Sequence, residues 1–119
     1  MRFVIFGEPA SKANSRQIVF NKRTLKPQVI KSKKANQYLE NFIFQCPKPK
    51  KPIESSVALT AHIYYASNRP DLDESIIMDG LQKARVLKND RLITQKHIYK
   101  HIDRKNPRAE IKIEYLKNS

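Results

Sequence analysis

The sequence predicts an α+β fold: one small domain over residues 1–119, with a mixed or antiparallel β-sheet and two main helices. Three observations predict it. Residues 32–46 and 73–87 repeat apolar side chains at helical spacing. Residues 57–65 alternate as a half-buried strand does. Breakers between these segments give the order strand, hairpin, helix, strand, helix, strand, strand, with no internal repeat.

Each element has its own cause. Arg2 to Phe6 is apolar and β-rich and runs into Gly7-Glu8-Pro9, a strand meeting a breaker. Residues 10–15 read as a polar loop. Gln17 to Phe20 and Pro27 to Ile30 flank Asn21-Lys22-Arg23-Thr24, which predicts a hairpin with a basic tip. Ser32 is a good N-cap, and Ala35, Tyr38, Leu39, Phe42, Ile43 and Cys46 then recur on one helical face until Pro47 stops the helix. The run Pro47 to Pro52 is stiff and charged, and too short for a domain linker. Val57, Leu59, Ala61, Ile63 and Tyr65 form the apolar side of the next strand, which ends at residues 67–70. The second helix is expected over residues 73–87, with Ile77, Leu81 and Ala84 on one face and Ile76 and Leu87 nearby. A turn at residues 88–91 leads to strands near 94–102 and 109–116, joined by residues 103–108 as a hairpin loop.

Charge narrows the partner. The chain has 24 Lys and Arg against 11 Asp and Glu, a formal net charge of +13. Self-repulsion of that size is relieved by a polyanion, so nucleic acid is the expected partner. Residues 1–51 carry twelve of the basic side chains and, as acids, only Glu8 and Glu40. Five acids instead gather between Asp71 and Asp90. The single cysteine, Cys46, excludes an intrachain disulfide and a cysteine-based zinc site, and its place on an apolar helical face predicts a buried thiol. No apolar run approaches the ~20 residues that span a bilayer. Met1 to Gly7 enters a strand pattern with no signal-peptide core. A cytoplasmic protein with no membrane partner and no small-molecule cofactor is expected.

The segment Arg69-Pro70-Asp71-Leu72-Asp73-Glu74, followed by a helix and Asn89-Asp90, carries the candidate chemistry. In extended chain Asp71 and Asp73 point to the same side, and the helix returns the chain so that Asp90 can approach them. Three converging carboxylates repel unless a divalent cation joins them, and such a cation suits phosphodiester hydrolysis. The plainer reading is structural: Asp71 and Asp90 as turn residues, Asp73 as a helix cap. On spacing alone the plainer reading is favoured.

The same segment resembles the signature of RusA-type Holliday junction resolvases. Asp71-Leu72-Asp73 matches its Asp-Leu-Asp at a strand end, Met78-Asp79-Gly80-Leu81 its helix segment, and Asn89-Asp90-Arg91-Leu92-Ile93 the turn with the third acid. Gly7-Glu8-Pro9-Ala10-Ser11-Lys12 resembles the opening of phage-type members. The resemblance implies a RusA-like fold and a homodimer that binds branched DNA, a four-way junction, and cuts it with paired nicks using Mg²⁺ or Mn²⁺. It further implies that Asp71, Asp73 and Asp90 are catalytic residues and metal ligands. Two departures stand out: Glu74 replaces the Asn that follows the second Asp, and Ile77 replaces a Lys four residues after that Asp. Lys83 is a candidate replacement ammonium, against the ordinary reading of a solvated helical lysine.

For DNA, Arg69 beside the acids is the first candidate to grip phosphates near the cut. Lys31, Lys33 and Lys34 stand at a helix start, where positive charge is disfavoured unless a phosphate docks there. Lys12, Arg16, Lys22 and Arg23 lie on loop and hairpin, where backbone contacts are common. His62, His97 and His101 read as surface strand histidines rather than metal ligands, and Tyr64, Tyr65 and Tyr99 as packing rather than base-stacking platforms. Two rivals remain. Asp71 with Glu110 and Lys112 imitates a restriction-type nuclease site, and a non-catalytic basic binder would be equally small and basic.

Overall fold

The computed structural model describes residues 1–10 and 16–116, the side chain of Arg16 excepted. Its strands are β1 (Arg2–Phe6), β2 (Arg16–Asn21), β3 (Lys26–Lys31), β4 (Val57–Tyr65), β5 (Ile93–Ile102) and β6 (Arg108–Tyr115). Its helices are α1 (Lys33–Gln45) and α2 (Ser75–Lys83), with a 3-10 turn at Asp90–Leu92. The expected α+β class is the observed one.

Four strands form one sheet in the order β1-β6-β4-β5, while β2 and β3 form a separate two-stranded sheet. The strand β4 runs parallel to β5 and antiparallel to β6. This corrects the expected closing hairpin, because β5 and β6 flank β4 instead of pairing. Their link crosses the end of β4, where the Asp103 N–H donates to the Tyr65 carbonyl at 2.8 Å. The physical reason lies in β4, whose Val57, Leu59, Ala61, Ile63 and Tyr65 are all fully buried. A strand that apolar is best placed centrally, with partners on both sides. The intervening α2 also permits a parallel partner, which a tight turn does not.

Both helices pack on one face of the sheet. The core joins Ala35, Tyr38, Leu39 and Phe42 of α1 and Ile76, Ile77 and Leu81 of α2 to the odd-numbered residues of β4 and to Ala109, Ile111 and Ile113. The helix α1 starts as its sequence dictates, since the Ser32 Oγ accepts from the Ala35 N–H at 3.1 Å. At its other end the Gln45 side-chain amide exchanges hydrogen bonds with the Phe6 backbone, at 2.8 and 3.0 Å, which ties α1 to the edge strand β1. Gly7 follows at φ 109°, a conformation open to glycine, and its N–H reaches the Pro107 carbonyl at 2.9 Å.

The helix α2 is shorter than the periodicity suggested. Arg85 turns left-handed at φ 61°, and Val86 and Leu87 reach the core outside the helix. Ile53 competes for their backbone: its N–H donates to the Val86 carbonyl and its carbonyl accepts from the Lys88 N–H. The 88–91 turn is likewise shifted to the 3-10 turn. The opposite sheet face carries Thr60, His62 and Tyr64 of β4 with Glu110 and Lys112 of β6, and a shallow depression of about 500 Å³ lies between them and β1. Among the described residues no helix is long and apolar enough to cross a membrane.

Candidate active site

The acid segment leaves β4 at Tyr65 and is held by it. The Tyr65 hydroxyl donates to the Asp71 carbonyl and accepts from the Asp73 N–H, each at 3.2 Å. One buried phenol thus fixes the backbone on both sides of Leu72. Two other side chains hold the approach. The Glu8 carboxylate accepts from the Ala66 N–H at 3.0 Å. The Lys100 ammonium donates to the carbonyls of Pro70 and Asn68, at 2.6 and 3.2 Å. Burial raises the Tyr65 pKa most, and the carboxylates of Asp73, Glu8 and Glu74 add to it, because all three stand near the phenol.

The two acids of the pair differ. Asp71 is exposed. Asp73 is buried, 8% exposed, and its Oδ1 accepts from both the Ser75 N–H (3.0 Å) and the Ser75 hydroxyl (2.7 Å). The N-cap of α2 is Glu74, which makes no side-chain capping bond. Asp73 stands one residue before that cap, earlier than the plainer reading expected, and its carboxylate is fixed in place by holding Ser75, the first residue of the helix. Glu74 sits beside it and pairs with Lys96 at 2.9 Å.

Asp90 is held elsewhere. Its N–H donates to the Gln82 side chain at 3.2 Å, while Asp73 is anchored at Ser75, and the two anchors are about 10 Å apart along α2. Among the described residues no group of three or more His, Cys, Asp or Glu side chains is gathered for a metal ion. The structure thus brings Asp71 and Asp73 onto one fixed segment and sets Asp90 against a later turn of the helix. In donor chemistry the pair still fits a hard cation, since Mg²⁺ is commonly held by one or two carboxylates together with substrate phosphate.

The basic candidates spread over several surfaces. Arg69 is exposed next to the acids. Lys33 and Lys34 are exposed in the first turn of α1. Lys31 and Lys83 meet at Asp79, whose Oδ2 lies 3.1 and 3.8 Å from their ammonium groups. The neighbouring Lys31 amine, and then burial, lowers the Lys83 pKa against the pull of Asp79. Lys83 is therefore engaged with Asp79 on α2. Ile77 is fully buried, so its position offers no place for a solvent-facing ammonium. Lys12 lies outside the described residues, as does the Arg16 side chain. Lys22 and Arg23 are exposed at the hairpin tip.

The rival site comes apart. Ala109, Ile111 and Ile113 face the core, so Glu110 and Lys112 face the opposite side of the sheet. There Glu110 pairs with Arg108 at 3.0 Å and Lys112 with Glu114 at 2.9 Å. The histidines also lie on that side. His62 and His101 approach to 2.8 Å between ring nitrogens, and Tyr99 and Tyr64 stack against them. Sequence reasoning missed Glu8, Lys96 and Lys100. A lysine every fourth residue of a strand is a faint signal, because it points nowhere until the strand's neighbours are known.

A family model described as Endodeoxyribonuclease RusA matches residues 7–114, a span that contains Glu8, the whole acid segment and Asp90. No curated protein matches the chain.

Proposed function

The chain belongs to the RusA endodeoxyribonuclease family, and from that premise we propose that it resolves four-way DNA junctions by metal-dependent hydrolysis of paired phosphodiester bonds. The observation that carries this reading is the acid segment. Its backbone is fixed by Tyr65, Glu8 and Lys100, yet Asp71 faces solvent. A rigid segment that holds one solvent-facing carboxylate, Asp71, two residues from a buried one, Asp73, has a use, in a chain of net charge +13, in holding a cation against a phosphate. A protein that only bound DNA would gain nothing from aiming carboxylates at it.

Asp71 and Asp73 would hold Mg²⁺ or Mn²⁺, with Asp90 as the third candidate ligand. When bound, such an ion supplies neutralisation of the attacked phosphate and an activated water. The chain's own side chains do the rest. Ser75 fixes one carboxylate oxygen of Asp73. Arg69, Lys33 and Lys34, with Lys12, Arg16 and Lys31, are assigned to the DNA backbone, where contacts position the duplex without reading sequence. A homodimer belongs to the proposal, since two identical sites about a two-fold axis suit a junction of like symmetry, and sedimentation at assay concentration tests it. A cytoplasmic location also belongs to the proposal.

The test compares a synthetic four-way junction with a linear duplex of the same arms. Symmetrical nicks in the junction are expected only with Mg²⁺ or Mn²⁺. Asp71→Asn is expected to lower the nicking rate by about 100-fold or more while junction binding persists or tightens, because a negative charge near DNA is removed. Equal cleavage by that variant would end the assignment of Asp71. Asp90→Asn, assayed alongside, decides whether the third acid takes part.

A further inference from the structure

The edge strand β5 sends two lysines onto the acid segment. In the parallel register Lys96 is level with Leu59 and Lys100 with Ile63, both buried on the side of the sheet that carries the helices. The two lysines therefore project to that side, one repeat of the pleat apart from Ile98 on either hand. Lys100 is consumed by structure, its ammonium bound to the carbonyls of Pro70 and Asn68 and lying 5.8 Å from the centre of the Tyr65 ring. Lys96 is different. Its ammonium lies 2.9 Å from Glu74 Oε1 and 3.9 Å from the Met78 sulfur, and its side chain is 42% exposed. Asp71 and Asp73 fall in sequence between the points that the two lysines touch.

We propose that the Lys96 ammonium, steered by Glu74, touches the phosphate being cut and offsets the charge that builds on its oxygens. The inference rests on the nuclease reading of the acid segment. Four observations carry it. The ammonium is fixed at the helix N-cap, Glu74, next in sequence to Asp73, so it belongs to the same few residues as the carboxylates. It faces solvent, which a phosphate must reach. Glu74 is itself only 23% exposed and fixes the direction of a flexible side chain. Finally, Lys100 is taken up by backbone carbonyls, and Lys83 and Lys31 meet α2 at Asp79, further along the helix from Asp73 than the Glu74 that holds Lys96.

The chemistry asks little of the lysine. The water oxygen bonds to phosphorus as the phosphorus–oxygen bond to the departing sugar breaks; the proton of the water passes to solvent, and the departing sugar oxygen takes a proton from solvent to leave as a hydroxyl. Lys96 keeps its proton and forms no bond. It acts by charge placed in advance where negative charge develops. By this account Lys96 is a catalytic residue and Glu74 a positioning residue.

The experiment is single-turnover cleavage of a four-way junction in Mg²⁺ by the wild-type chain, Lys96→Met, Lys96→Arg and Glu74→Gln, with junction binding measured without divalent ion and melting followed in parallel. Lys96→Met is expected to cut about 100-fold more slowly at saturating junction, with binding unchanged. An ion pair this exposed contributes little to stability, so its melting should match the wild type. Lys96→Arg keeps the charge and should stay within about tenfold of wild type, and Glu74→Gln should fall between the two. A wild-type chain that leaves the junction uncut would overturn the nuclease reading itself. If instead the wild type cuts and Lys96→Met cuts within about threefold of it, the lysine assignment alone is wrong. A Lys96→Met chain that loses binding as fast as cutting, or that melts early with Lys96→Arg equally slow, also overturns the assignment, because a role in docking or folding would explain it.

Discussion

Tyr65 is fully buried, yet its hydroxyl holds the backbone of the candidate site. It joins the carbonyl of Asp71 to the N–H of Asp73. Replacing it by Phe leaves the ring in the core and removes both bonds, so the carbonyl and N–H must find other partners. Tyr65→Phe is expected to cost about 1–3 kcal/mol in urea unfolding, the range for stranding a buried polar group. It should also slow junction nicking by about tenfold, since the acids lose their fixed spacing, and a variant that melts lower but cuts at the wild-type rate would sever Tyr65 from the site. Cys46 shows the contrasting case of a residue with no chemistry to do. It is buried at the end of α1, and burial pushes its thiol up to about 11, as its apolar helical face predicted.

At the scale of elements, the contact between α1 and α2 sets how the acid segment meets the core. Gly80 makes that contact possible, because a Cβ there would fall 2.7 Å from the Phe42 ring. Phe42 is itself fully buried and has little room to yield. Gly80→Ala is therefore expected to destabilise the chain by about 1–3 kcal/mol through overpacking, outweighing the better helix propensity of Ala. Thermal melting of that variant against wild type checks it, and an unchanged or raised midpoint would show that the two helices can part without penalty. The hairpin of β2 and β3 depends on local chemistry instead. Asn21 accepts from the N–H groups of Arg23 and Thr24, and Leu25 closes the turn at φ 55°.

For the whole molecule, charge and shape divide the labour. One face of the main sheet is covered by helices and carries the acid segment at its β5 edge, and the basic hairpin presents exposed Lys22, Arg23 and Lys26. If the hairpin tip rests on the DNA backbone, replacing these three by Ala should weaken junction binding alike for every arm sequence. The slope of log affinity against log salt should become shallower by about 0.9 for each phosphate that the variant no longer neutralises. Filter binding across a salt series measures both, and an unaltered slope would place the hairpin away from DNA.

Periodicity and breakers alone determined the helix of residues 33–45 with its Ser32 cap, the buried side of residues 57–65 and the tip hairpin, whereas the Asp71-Leu72-Asp73 segment stood out as a candidate site only through its resemblance to a family signature. These rest on neighbours within a few residues, and a linear pattern records such neighbours faithfully. Tertiary structure alone decided that β4 lies between β5 and β6, that Ile53 draws Val86 and Leu87 out of the second helix, and that Asp90 stands against a different turn from Asp73. It also decided that Lys100 reaches the backbone before Asp71 and that Lys96 reaches Glu74 after Asp73. Each of these depends on which strand becomes whose neighbour. That choice is made by burying the most apolar strand at the centre, a competition among distant segments that no local spacing encodes.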